Sequence, residues 1–132
     1  MTDQVMTIRE MCDAFDVTPR TLRFYEAKEL LSPARDGNRR LYSRRDRARL
    51  KLILRGKRFG FSLEAIRQFL ELYSADGGPQ LQYIRVFEAA QERLAELRRQ
   101  RQELDKTITD LEDQLDWAAK AMAEMNLIKA AE

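Results

Sequence analysis

An unbroken alternation of three- and four-residue spacings in the C-terminal third limits the fold of this chain more than any other feature. Phe87, Ala90, Leu94, Leu97, Arg101, Leu104, Ile108, Leu111, Leu115, Ala118, Met122 and Met125 follow one another by 3 and 4 residues, and eleven of the twelve are apolar. Such a pattern returns its side chains to one narrow stripe of a helix, the a/d seam of a coiled coil. No proline or glycine interrupts it, so the helix extends over about forty residues, or roughly 60 Å at about 1.5 Å per residue. A lone helix cannot bury that stripe, and folding back on a small domain would cover only part of it. A second copy of the chain is the expected partner. Arg101 interrupts the seam; it either fixes register or oligomer state, or lifts its guanidinium out to water.

The rest of the chain is short. With 132 residues in all, there is room for one compact domain beside the long helix and not for two full cores. Charged residues make up 35%, with only 5 Gly and 3 Pro, which favours surface-exposed helices over a turn-rich β fold. With 0 His and 1 Cys, a histidine-based metal site, a histidine base and an intrachain disulfide are all ruled out. Apolar runs are only a few residues long, too short to span a membrane, and the N-terminus lacks the pattern of an export signal. The expectation is a soluble, cytoplasmic, mostly α protein with no cofactor. Its carboxylates are scattered over helix faces and caps, with no pair framed by an apolar pocket pattern, so catalysis is not expected.

Charge is unevenly spread. Residues 1–73 hold 16 Lys+Arg and 10 Asp+Glu, a net of +6, whereas residues 74–132 hold 8 and 12, a net of −4. Within Arg35–Arg58, 11 basic residues stand against 2 acidic ones. A field of that shape favours a polyanion at the first half; a solvated arginine-rich helix face is the other reading.

Local signals organise that first half. Thr7 and Glu10 form a capping box, followed by an apolar stripe of Ile8, Met11, Cys12 and Phe15, on which Cys12 reads as a core residue. Thr18 is suited to cap a second helix with Pro19 at its first position. Two short helices joined by a tight turn make a helix-turn-helix, and the second carries Arg20, Thr21, Arg23 and Tyr25, groups able to meet base edges and phosphates in a major groove. Asp36-Gly37 predicts a hairpin turn, giving a short basic β-ribbon with Arg39 and Arg40 on its returning arm; a loop is the alternative. Ser43 with Asp46 caps a third helix ending at Gly60, with Leu50, Ile53 and Leu54 inward. Ser62 caps a fourth, with Leu63, Ile66, Phe69, Leu70 and Tyr73 on one face. Residues 74–79 are the expected linker, 80–125 the coiled-coil helix and 126–132 a short tail.

Five blocks now bear on family. Thr7-Ile8-Arg9-Glu10, Val17 to Glu26, Leu30 to Pro33, Arg39 to Ser43 and Gly60 to Ile66 resemble, in order and spacing, the MerR family of bacterial transcriptional regulators. The resemblance implies a winged helix-turn-helix DNA-binding domain at 1–73, followed by a long C-terminal dimerisation helix. It further implies a homodimer through an antiparallel coiled coil using Phe87, Leu94, Leu97, Arg101, Leu104, Ile108, Leu111 and Leu115, bound to double-stranded promoter DNA beside RNA polymerase. The site residues it implies are Thr18, Arg20, Thr21, Arg23 and Tyr25 on the recognition helix, and Arg39, Arg40 and Tyr42 gripping phosphates from the wing. In this family such a dimer bends and untwists a near-palindromic promoter. A protein-docking module using the same surface, like a co-chaperone modulator, is the alternative.

Three departures from the family pattern stand out. Phe24 replaces a frequent Tyr, Arg39 replaces a frequent wing Tyr, and the sole Cys12 lies on the first helix, so no thiolate metal or iron–sulfur site is expected along the coil. Residues 117–132 are expected to be too short for an independent ligand-binding domain. Trp117, beside the seam, reads as packing against the DNA-binding domain of the second copy or as lining a small apolar pocket. Met122 and Met125 read as seam residues rather than soft-metal ligands.

Overall fold

In the computed structural model, which describes residues 4–72 and 78–125, each helix of the first half starts where its capping residues predict. Strand β1 (Met6–Thr7) leads into helix α1 (Ile8–Phe15). At that junction Thr7 Oγ1 accepts the Glu10 N–H at 3.2 Å, and Glu10 Oε1 accepts the Thr7 N–H at 2.9 Å. Asp16 ends the helix in the left-handed region, φ 54°, a conformation that Asp tolerates better than most residues. Helix α2 (Pro19–Ala27) starts at Thr18, whose Oγ1 accepts the Thr21 N–H at 3.1 Å.

Strands β2 (Ala34–Asp36) and β3 (Arg39–Tyr42) form the expected ribbon. They pair Ala34 with Leu41, Arg35 with Arg40 and Asp36 with Arg39. The two turn residues are therefore Gly37 and Asn38, one position later than the Asp36-Gly37 expectation. The reason is backbone conformation: Gly37 takes φ 63°, which glycine adopts without a Cβ penalty. β1 adds to the far side of β3, Met6 opposite Tyr42 and Thr7 opposite Leu41, giving the sheet order β1-β3-β2.

Helix α3 (Arg44–Phe59) opens on the Ser43–Asp46 capping box and closes at Gly60, φ 88°. Helix α4 (Leu63–Leu72) follows, with Ser62 Oγ accepting the Ala65 N–H at 3.1 Å. α3 and α4 approach closely at Gly56, where a Cβ would stand 2.8 Å from Cγ1 of Ile66. Met11, Leu22, Tyr25, Leu30, Leu31, Tyr42, Leu50, Ile53, Ile66 and Leu70 make one core. Ile8, Cys12, Phe15, Leu54 and Leu63 pack at its margin, so the stripes expected on α1 and α3, and Leu63, Ile66 and Leu70 of the one expected on α4, face inward, while Phe69 packs edge-on against Phe61. Tyr73, expected on the same face of α4, and most of the 74–79 linker lie outside the described residues.

Helix α5 (Gly78–Glu124) is continuous over 47 residues and takes in Gly78 and Pro79, two residues of the segment expected to be linker. Proline is tolerated there because the first turn of a helix needs no N–H donor. The chain divides into two compact units, residues 1–87 and 88–132. In the first, Gln82 Nε2 donates to the Phe69 carbonyl at 2.6 Å, in the last turn of α4. In the second, α5 carries its seam on the surface. Phe87, at the end of the first unit, and Leu94, Leu97, Leu104, Ile108, Leu111 and Leu115 are 39–64% exposed, and Arg101 is exposed among them. Trp117 is exposed as well. No helix among the described residues is long and apolar enough to cross a membrane.

Candidate nucleic-acid interface

Helix α2 turns Leu22 and Tyr25 into the core, so the 3.6-residue period sends Arg20, Arg23 and Phe24 outward together. All three are exposed. Lys28 lies over the Phe24 ring, its Nζ 5.7 Å from the centroid. The outer face of α2 and its C-cap thus present an arginine pair and a lysine around an apolar ring. Thr18 and Thr21 sit at the start of the helix, their hydroxyls 3.0 Å apart. The Thr18 hydroxyl caps the helix, and its part at the surface is first of all to start α2.

The wing is less uniform than its sequence suggests. Arg39 is exposed. Arg40, expected to grip phosphate, instead directs Nε to Glu26 Oε1 at 2.7 Å, and Arg35 on the opposite arm directs Nη2 to Glu26 Oε2 at 2.6 Å. Burial pushes the Glu26 carboxyl up, and the hydrogen bonds from Arg40 and then Arg35 outweigh it, leaving the group below its ordinary value. Tyr42 and Tyr25 correct the expectation that both phenols lie outward: they are 0% and 5% exposed. Each points to the core side of its element because β3 and α2 both pack that face inward. Burial raises both phenols above their ordinary range. The Tyr42 hydroxyl has no hydrogen-bond partner among the described residues.

The basic run of α3 also divides. Arg47 Nη1 donates to the Gln4 carbonyl at 2.7 Å, and Arg49 Nε to the Leu30 carbonyl at 2.9 Å. These two arginines tie the residues just before β1 and the segment after α2 to α3. Sequence reasoning missed Glu26, Arg35, Arg47 and Arg49 as organising residues. Arg35 was legible in principle, since a hairpin register that pairs positions 35 and 40 puts both on one face. The acidic partner came from an element too far along the chain for any local pattern. No group of three or more possible metal ligands gathers among the described residues.

Two helices joined by a tight turn, a basic hairpin beside the second, and a cationic outer surface define a winged helix-turn-helix module. Family comparison then narrows the class. Residues 6–72 match the MerR HTH family regulatory protein model, and residues 47–114 match the MerR DNA-binding model. The regulator HmrR of Rhizobium leguminosarum bv. viciae is 34% identical over 114 residues, covering 81% of each chain. The chain belongs to the MerR family. The regulator ZntR of Escherichia coli K12 is 39% identical over 67 residues, and the chain spans 48% of its length, about half. Among solved structures, MtaN, the N-terminal part of the Bacillus subtilis multidrug transporter activator, superposes with TM-score 0.65 at 28% identity, covering 83% of this chain and 97% of that one. HiNmlR, a MerR family regulator lacking the sensor domain and bound to promoter DNA, gives TM-score 0.61 at 26% identity, covering 91% and 94%.

Proposed function

We propose that this protein is a sequence-specific transcriptional regulator that binds a near-palindromic promoter operator as a homodimer and distorts it. The observation carrying this reading is the outward face of α2, Arg20 and Arg23 on one side of a helix whose other side is locked into the core. Arginine is the side chain best suited to bidentate contact with guanine edges in the major groove, while the exposed Arg39 of the wing is placed to meet phosphate, which positions a protein without reading sequence. Thr21 joins the base-reading set and Thr18 starts the helix that bears it.

The dimer part of the proposal rests on the exposed seam of α5. Burying a large aliphatic side chain contributes about 1.5–3 kcal/mol, and one helix leaves that unrealised at Phe87, Leu94, Leu97, Leu104, Ile108, Leu111 and Leu115. Pairing two such helices antiparallel would set two recognition helices apart on one duplex, as a two-fold operator requires. Distortion of the promoter would then cost a few kcal/mol, within reach of phosphate contacts, and RNA polymerase would read the altered DNA. The regulators HmrR and ZntR and promoter-bound HiNmlR favour this reading over a protein-docking module.

The test is selection of duplexes from a random library, followed by footprinting. A two-fold symmetric consensus protected by a dimer is expected, with log affinity falling steeply as log salt rises. Arg23→Ala should lower affinity for the selected duplex by about 1–3 kcal/mol and relax one base position. Enrichment of no sequence, or equal affinity for selected and random duplex at physiological salt, would reject the proposal.

A further inference from the structure

Arg35 and Arg40 face each other directly across the wing. Two like charges at such a pair repel, and β2 is the edge strand of the sheet, held to it by β3 alone. The carboxylate of Glu26 resolves this, one oxygen to each guanidinium, at 2.6 Å and 2.7 Å. Glu26 is itself a residue of α2, one position after the core residue Tyr25 and one turn from the outward Arg23. A single half-buried side chain therefore joins both arms of the wing to the helix that would read bases.

We propose, on the reading of the protein as a sequence-specific regulator, that Glu26 is a positioning and specificity-determining residue, which fixes the wing to the recognition helix and holds two arginines back from indiscriminate phosphate contact. Its negative charge lowers attraction to any duplex. Its geometry raises attraction to the one duplex on which helix and wing both fit. Specificity is the ratio of the two affinities, and Glu26 acts on both terms in opposite directions.

Glu26→Gln keeps the shape and removes the charge. Against random duplex, the freed arginines should steepen the salt dependence by about 0.9 per added phosphate contact, raising affinity roughly eightfold per contact at 0.1 M salt. Against a duplex selected by the wild-type protein, affinity should fall about tenfold, as for one misaligned base contact. Glu26→Asp separates charge from reach: it keeps the carboxylate but shortens it, so selected-duplex affinity should fall while random-duplex affinity and its salt slope stay unchanged. Circular dichroism of both variants checks the fold before titration. Parallel losses on both duplexes would mean a merely structural role and overturn the assignment, as would a specificity ratio within about twofold of wild type. Failure of the wild-type protein to select any duplex is a separate outcome, in which the regulator reading itself falls and this assignment with it.

Discussion

Replacing Tyr42 by phenylalanine should stabilise the protein and leave DNA affinity unchanged. The side chain is fully buried, and its hydroxyl finds no partner among the described residues. A hydroxyl buried without a hydrogen bond costs about 1–3 kcal/mol relative to water. Removing the oxygen ends that cost and leaves a void smaller than a methyl group, which returns a few tenths of a kcal/mol in lost dispersion contacts. The net expectation is a gain of about 1 kcal/mol, equivalent to roughly 4–8 °C in Tm for a domain of this size. Urea unfolding followed by circular dichroism at 222 nm measures it (the wavelength reports helix), with a parallel titration of a selected duplex. The outcome also decides between two roles for one residue. If Tyr42 met phosphate from the wing, the variant would lose affinity and gain no stability. A loss of 1 kcal/mol or more in stability, or a tenfold drop in affinity, would refute the reasoning from burial.

Further expectations come from other parts of the fold. Gly56→Ala would set a Cβ 2.8 Å from the Ile66 side chain, so overpacking of about 1–3 kcal/mol should outweigh the gain in helix propensity of about 1 kcal/mol; a Tm equal to or above wild type would contradict the close approach of α3 and α4. Because the Glu26 carboxyl titrates below its ordinary value in the folded chain, its contribution is complete above the unfolded value of about 4.3 and disappears as pH falls through the lower folded value. The stability difference between wild type and Glu26→Gln should therefore begin to shrink as pH falls below the unfolded value of about 4.3 and vanish only once pH lies below the lower folded value, and a difference independent of pH would refute the ion pairs. Ile108→Asp puts a charge at the centre of the exposed seam and, on the proposed pairing, should give a monomer by light scattering at micromolar concentration where the wild-type chain gives a dimer, while helix α1 to α4 signals persist; equal masses for the two would reject the seam as the dimer contact.

Much of the first half was legible because its signals are local. Thr7 with Glu10, Thr18 with Pro19, and Ser43 with Asp46 satisfy backbone N–H groups a few residues away, so each helix start is encoded within one turn of chain. The heptad spacing likewise encodes a long helix with one apolar stripe, whatever surrounds it. Family likeness could be read for the same reason, since its blocks are short and contiguous.

Other features needed the chain to fold first. Whether Tyr25 and Tyr42 face water or core depends on which side of α2 and β3 meets Met11, Leu50 and Ile53, a contact between segments tens of residues apart. The basic residues looked equivalent in sequence, since charge alone does not say which guanidinium finds a carbonyl or a carboxylate. Packing divides them: Arg47 and Arg49 reach the Gln4 and Leu30 carbonyls, Arg35 and Arg40 converge on Glu26, and Arg20, Arg23 and Arg39 stay at the surface. Periodicity and caps act over a few residues and so belong to the sequence; the partner of a long, flexible cation is set by what the fold brings within three ångströms of its tip, and only the tertiary structure decides that.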